Sequence, residues 1–297
     1  DERSFVRDIA TVSDTEDPFA RLQTKLETGI ATFGIEKRAL SVEWYERLKE
    51  ACPEALFTNL EPFVQEERMV KTESEIEQVR KAVAISENAL LETVLRVREG
   101  MTELELTAEL EYQIRLFGGD KPAFESLVLG GPRSALPHGK PSGYRLRRGD
   151  FVLIDMGVSY GGYCSDITRT FILGEDSSKQ RDIYQAVLEA NRLGIEATKT
   201  ASALGEIDRA ARAAIEKRGY GAYFTHRIGH GFGMEIHELP SIHGENELPV
   251  VPGCLFTIEP GIYIPGFGGV RIEDDVYKRL DGTIEVLTQF PKQLRLL

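Results

Sequence analysis

An α+β fold of two related halves, behind a small α/β amino-terminal unit, is what this 297-residue sequence predicts. Three observations carry the prediction. The order helix, helix, strands occurs twice within residues 71–297, although the two copies share little residue identity. Three capping boxes, Thr72 with Glu75, Thr102 with Glu105 and Ser177 with Gln180, mark where helices in that order begin. Over residues 1–70 short strand and helix patterns alternate instead, and the charged, apolar-poor run 65–75 reads as a linker.

In the amino-terminal unit, 29–37 (GIATFGIEK) predicts a strand, 41–52 (SVEWYERLKEAC) a helix and 55–64 (ALFTNLEPFV) a second strand. That is the order of a partial doubly wound unit. Beyond it, Thr72 opens a helix whose apolar stripe is Ile76, Val79, Val83, Leu90, Val94 and Val97, ending at Gly100. Thr102 opens another that runs to about Phe117, where Gly118-Gly119 stops it. Strands follow at 126–131 (SLVLGG) and 151–158 (FVLIDMGV), the latter turning at Gly161-Gly162 into 163–173 (YCSDITRTFIL). After Gly174 the same grammar returns. Ser177 opens a long helix to about Lys199, and a second covers 204–217 with Ile207, Ala210, Ala211, Ala214 and Ile215 inward, halted by Gly219. Strands come next around 224–229 (FTHRIG), 254–264 (CLFTIEPGIYI) and 269–279 (GVRIEDDVYKR).

Composition excludes some functions. With 41% apolar residues the chain can bury a sizeable core, as one large or two smaller domains. A net charge of −12 and the lack of a basic cluster argue against nucleic acid. No apolar run approaches a membrane span and no signal-peptide pattern opens the sequence. Three cysteines, Cys52, Cys164 and Cys254, are too few and odd in number for a disulfide framework, so a reducing, cytoplasmic compartment is expected.

Five residues of the second part read as the ligand set of one two-metal site: Asp155, Asp166, His230, Glu259 and Glu273. Four carboxylates and one imidazole carry about −4 charge, which two divalent cations neutralise. Asp155 and Asp166 flank a tight turn near Tyr160–Tyr163, and in an antiparallel hairpin with an even-numbered loop they share a face. Ile154, Met156 and Ile167 beside them describe strands with a buried side, which disfavours an ordinary solvated hairpin. Glycines flanking His230 remove side chains that would crowd a metal. Glu259 precedes Pro260-Gly261, and Glu273 ends a strand after Arg271; alone, Glu273-Asp274-Asp275 also reads as a surface charge run. Cys164 is either a soft ligand or a small buried hydrophobe, and the hard oxygen set around it favours the second. The chemistry such a set serves is hydrolysis by a metal-activated water. His138 and His237 suit substrate contact and proton handling, and Arg271 suits holding a bridging carboxylate.

These motifs, PHG at 137–139, Asp155 with the second Asp in SDITRTF, HRIGHGFGMEIHE, EPGIYIPGFGG and VRIEDD, resemble those of the pita-bread metallopeptidases over about residues 70–297. The resemblance is to their proline-specific branch, the Xaa-Pro dipeptidases and Xaa-Pro aminopeptidases. It implies a pita-bread catalytic domain over 71–297, preceded by a partial amino-terminal domain over 1–70 of a lobe that closes over the site. It implies that Asp155 chelates one cation, that His230 and Glu259 hold the other, and that Asp166 and Glu273 bridge. It further implies His138, His237 and Glu273 as catalytic residues, and His138, His226, His237 and Arg271 as substrate-binding ones. Manganese is the expected metal, with cobalt or zinc as alternatives, and a homodimer the expected assembly. The expected substrate is a small peptide with proline at its second position. A dipeptidase is slightly favoured over an aminopeptidase for longer peptides, ahead of a methionine aminopeptidase-like enzyme or a non-catalytic peptide-binding protein.

Overall fold

The computed structural model describes residues 9–25 and 32–297, and its contacts divide the chain into two units, 1–67 and 68–297. In the first, helix α1 (Pro18–Lys25), strand β1 (Thr32–Ile35), helix α2 (Val42–Ala51) and strand β2 (Leu56–Asn59) follow one another. β1 and β2 pair in parallel, Thr32 opposite Leu56, with α2 as the crossover that parallel pairing requires. Ser41 caps α2 by accepting from the Trp44 amide at 3.2 Å. Residues 29–31 of the predicted first strand lie outside the described residues. Where strand and linker are predicted, the chain instead forms helix α3 (Glu61–Met69). The Asn59 side chain accepts from the Glu61 amide at 3.2 Å and Pro62 sits in the first turn, so the charge run is the solvated face of a helix.

In the second unit, α4 (Glu73–Val94) and α5 (Glu103–Leu116) precede β3 (Lys121–Pro122), β4 (Leu127–Gly130), β5 (Phe151–Met156), β6 (Val158–Tyr160), β7 (Tyr163–Cys164) and β8 (Ile167–Ile172). Helices α6 (Ser178–Ala197) and α7 (Leu204–Lys217) then precede β9 (Gly229–Gly231), β10 (Glu238–Ile242), β11 (Leu255–Ile258), β12 (Gly261–Ile264), β13 (Gly268–Arg271), β14 (Asp274–Lys278) and β15 (Ile284–Val286). All three capping boxes form. α4 stops at Val94 rather than near Gly100, because the Arg96 and Val97 amides turn to the carbonyls three residues back. Residues 224–228 are not a strand; β9 starts only at Gly229, and β10 was not foreseen.

The repeat is clearest in the sheets. β5 and β8 pair antiparallel, their continuations β6 and β7 pair again beyond a break, and Gly161 and Gly162 (φ +58° and +86°) close the turn. β11 and β14 pair likewise, and β12 and β13 continue them beyond a second break. Each half is thus a broken two-stranded ribbon backed by a helix pair. One apolar core gathers Leu90, Leu106, Leu110, Ile154 and Ile167 of the first half, another Ile183, Val187, Ile207, Phe256 and Ile258 of the second. A third, with Ile76, Val79, Phe232, Leu255 and Tyr277, joins the two.

Charges are also buried. Asp274 meets Arg169 at 2.8 Å, both 1% exposed or less, and accepts from Lys292 at 2.8 Å, Asn191 at 2.9 Å and Thr288 at 2.8 Å. Glu273, Asp274 and Asp275 are all buried, which corrects the surface reading of that run. Glu103 is buried on α5 and accepts from the Gly130 amide (2.8 Å), from Arg133 Nε (2.9 Å) and from the Ser142 amide and hydroxyl (2.9 and 2.7 Å). It ties together both ends of the 130–142 loop that carries His138. Glu103→Ala leaves those donors unpaired and should lower stability by about 3 kcal/mol, read as a reduced urea midpoint at constant m.

Candidate metal centre

Most of the carboxylates singled out from the sequence sit where the ribbons break. Asp155 is the penultimate residue of β5, and Asp166 lies in the gap before β8. Glu259 lies in the gap between β11 and β12, and Glu273 in that between β13 and β14, not at a strand end as expected. The breaks have local causes. Gly157 has no room for a Cβ, which would fall 2.2 Å from the Ser165 carbonyl, and Pro260 has no N–H to give to a ladder. Asp155 pairs with Thr168, so Asp166 lies diagonally across on the same face, as its spacing predicted.

His230 comes from β9. Its flanking glycines serve the sheet rather than a metal: a Cβ on Gly229 would stand 1.9 Å from the Thr257 carbonyl, one on Gly231 2.0 Å from that of Leu239. Side-chain oxygens complete the framing. Thr168 Oγ1 donates to Glu273 Oε2 at 2.6 Å, Thr257 Oγ1 to Glu259 Oε1 at 3.3 Å, and the Asp166 amide to Asp275 Oδ2 at 3.1 Å.

All five residues line one cavity of about 480 Å³. Ligand atoms of Asp166, His230 and Glu273 lie within 4.8 Å of one another. His230 Nε2 stands 3.5 Å from Glu259 Oε1 and 3.7 Å from Asp166 Oδ2. His230 Nδ1 faces the Gly231 carbonyl at 3.1 Å and can only donate there, so the neutral ring turns the lone pair of Nε2 toward the two carboxylates. Burial, with His237 second, pushes His230 down to about 3, so it stays neutral. Burial also raises Asp166 and Glu273, with Glu273 and Glu259 respectively the next cause, and takes Glu259 to about 7. Among the described residues, Asp155 Oδ1 is buried without a hydrogen-bond partner. Carboxylate oxygens, a bare nitrogen lone pair and an orphaned carboxylate oxygen facing one another repel unless protons or cations neutralise them, and this donor set fits divalent metal ions of hard character.

His138 and His237 are exposed to the cavity, the latter with its ring centroid 4.3 Å from that of His230. Burial, with Arg227 second, lowers His237. His226 also lines the wall, but both its ring nitrogens are engaged. Nδ1 donates to the Arg227 carbonyl at 2.7 Å and Nε2 accepts from the Tyr263 hydroxyl at 2.9 Å. Arg271 donates to that hydroxyl at 2.7 Å, to Thr168 Oγ1 at 3.0 Å and to Asp155 Oδ2. Sequence reasoning missed Tyr263, Asp275 and Arg227; the first two carry no local signal beyond sitting in the EPGIYI and EDD motifs. Cys164 is buried, absent from the cavity wall, and pushed up to about 11 by burial, which suits a small hydrophobe.

Comparison with known proteins places the arrangement. The family model for metallopeptidase family M24 matches residues 77–278, and that for the creatinase/prolidase N-terminal domain matches residues 1–70. The Xaa-Pro dipeptidase of Pyrococcus furiosus is 45% identical over 245 residues, covering 82% of this chain and 70% of that protein. Among solved structures, the X-Pro aminopeptidase of Thermotoga maritima superposes with a TM-score of 0.90 at 39% identity, over 96% of this chain and 81% of that one. The Xaa-Pro dipeptidase of Bacillus anthracis does so with a TM-score of 0.91 at 41% identity, over 95% and 79%. The two helix-backed ribbons are the pita-bread fold of these proteins. With its family model spanning both ribbons and every break that carries an acid, the chain belongs to metallopeptidase family M24.

Proposed function

We propose that the chain is a proline-specific metal-dependent exopeptidase, an Xaa-Pro dipeptidase, that hydrolyses the bond between an amino-terminal residue and proline. The observation that carries this reading is the meeting of four carboxylates and an unprotonated imidazole nitrogen in one cavity. Its relatives named as Xaa-Pro dipeptidases support the substrate. Asp155 would hold one ion, His230 and Glu259 the other, and Asp166 and Glu273 would bridge. When bound, the ions supply Lewis acidity and lower the pKa of water. Carboxylate-rich ligation favours manganese, with cobalt or zinc as alternatives.

The remaining roles belong to the chain. Glu273, anchored at Oε2 by Thr168, keeps Oε1 to take the proton of the attacking water. The neutral ring of His237 offers an N–H group to the substrate carbonyl, whose oxygen becomes anionic as the amide is attacked, and the ring of His138 lines the same wall. The leaving proline nitrogen has no hydrogen of its own and must gain one, and the proton held on Glu273 is available to it. Arg271 keeps Asp155 oriented, and His226, engaged at both nitrogens, presents only its ring to the substrate. Three free cysteines support a reducing, cytoplasmic setting, and among the described residues no helix is long and apolar enough to cross a membrane. A homodimer and a division into an amino-terminal domain (1–70) and a catalytic domain (71–297) complete the proposal.

Hydrolysis of Ala-Pro and Gly-Pro by the manganese-loaded protein, faster than that of Ala-Pro-Ala, is the expected result. Turnover of none of these peptides would refute the reading. His237→Ala should cut kcat by about 10²–10⁴-fold while both metals remain bound. Loss of metal from that variant, measured by elemental analysis, would make His237 a ligand instead.

A further inference from the structure

His237 is the last residue of the segment 232–237 that joins β9 to β10, and its ring faces the cavity. Among the described residues no hydrogen bond fixes that ring. What orients it is the His230 ring beside it, 4.3 Å away between centroids, and the backbone that carries it. That backbone has few ties of its own. The Gly233 amide donates to the Glu235 carbonyl at 2.9 Å, and the Cys164 amide to the Gly233 carbonyl at 2.7 Å. The aim of His237 therefore depends on how the next residue, Glu238, is anchored.

Glu238 opens β10 and is absent from the cavity wall, since neighbouring side chains of an extended chain point to opposite faces. Its side chain is 6% exposed. Oε2 accepts from Lys71 Nζ at 2.9 Å, and Oε1 accepts from the Glu235 amide at 3.0 Å and from Arg68. Lys71 is the unusual member of this group. Its side chain is 1% exposed, and among the described residues Glu238 is the one partner of its ammonium. An ammonium shut away from water is costly even when paired, and such a pair adds little net stability.

What the pair does supply is a fixed place. The Lys71 amide donates to the Gly253 carbonyl at 2.8 Å, and Thr72, the next residue, caps α4, so the ammonium projects from an anchored backbone. A Cβ on Gly233 would stand 2.8 Å from Lys71 Cε and 2.9 Å from Glu238 Oε2. The ion pair thus packs directly against the loop that ends in His237.

Resting on the reading of His237 as a substrate contact, we infer that Lys71 is a positioning residue: acting through Glu238, its buried ammonium fixes the backbone from which His237 reaches the substrate carbonyl. Neither Lys71 nor Glu238 touches the substrate.

The test uses Lys71→Gln and Glu238→Gln, which keep a hydrogen-bonding group of similar size in place. On the metal-loaded protein each should lower kcat for Ala-Pro about 10–100-fold, with KM changed by less than about twofold and both metals retained. Combined with His237→Ala, either variant should be no slower than His237→Ala alone, because the residue through which it acts is gone. A second readout needs no turnover. In the zinc-loaded protein with nitrogen-15-labelled histidine, the His237 ring signals, identified by their loss in His237→Ala, should shift or broaden in both variants while those of His226 stay in place. Loss of metal, a raised KM at unchanged kcat, or losses that multiply with that of His237→Ala would overturn the assignment. Absence of turnover in the wild type, with a His237 signal that depends on Lys71, would sink the peptidase reading but not the positioning. A His237 signal undisturbed in both variants would sink the positioning.

Discussion

Asp166→Asn is expected to abolish peptide hydrolysis, with at least about 10³-fold loss of kcat/KM. Removing partners that merely orient metal ligands costs 10–100-fold in such sites, and a carboxylate that bridges, as proposed for Asp166, would act on both ions directly. The variant should bind fewer than two metals per chain. Its fold should persist, because the contact that Asp166 makes to its surroundings through the backbone, N–H to Asp275 Oδ2 at 3.1 Å, does not use the side chain. Without metal the variant should melt no lower than the wild type, since burial and then Glu273 and Asp155 already oppose the Asp166 charge. A markedly lower melting temperature for the metal-free variant would mean that the carboxylate is structural, not reserved for cations.

Stripping the metal should turn pH into a destabilising variable. Burial first, then Asp155, lifts Glu259 from its ordinary value of 4.5 to about 7, against the pull of Arg271 and Arg227, while Asp166 and Glu273 are raised in the same direction. A carboxyl with a raised folded pKa binds its proton more tightly folded than unfolded. Stability is therefore greatest below the unfolded pKa and falls as pH rises through the folded one, here from about pH 4.5 to above 7. Glu259 alone accounts for on the order of 3 kcal/mol across that window. Bound cations satisfy the same charges and cancel the slope. The metal-free protein should thus lose on the order of 10 °C in melting temperature between pH 5 and 8, while the loaded protein stays nearly level over that range. A flat profile for the metal-free form contradicts this account of the centre.

Local patterns were legible in the sequence and long-range partners were not. The three capping boxes and the 204–217 helix are written within a few neighbouring residues, and each forms where its pattern lies. The five acid and imidazole positions stand out because hard ligands interrupt apolar strands, and all five do come to one cavity. The 273–275 run misleads because its charges are answered from far away, Asp274 by Arg169, 105 residues earlier. The run 65–75 misleads in the opposite direction, since a polar composition reads as linker while Asn59 and Pro62 quietly start a helix. The glycines beside His230 were noticed for the wrong reason, because the backbones of β10 and β11 that press on them belong to other parts of the chain.

The contact between the two ribbons has a consequence for the life of the protein in a cell. The Glu273 amide donates to the Thr168 carbonyl at 3.1 Å, and Thr168 in turn holds Glu273, so the acids of one half are seated in the backbone of the other. Cations held in that seam, as proposed, would act as rivets, and at a thousand times their dissociation constant would add about 4 kcal/mol to the folded state. A newly made chain starved of metal would then open along the seam more often and be more exposed to proteolysis. Metal supply would then govern how much of this protein persists as well as how fast each copy works.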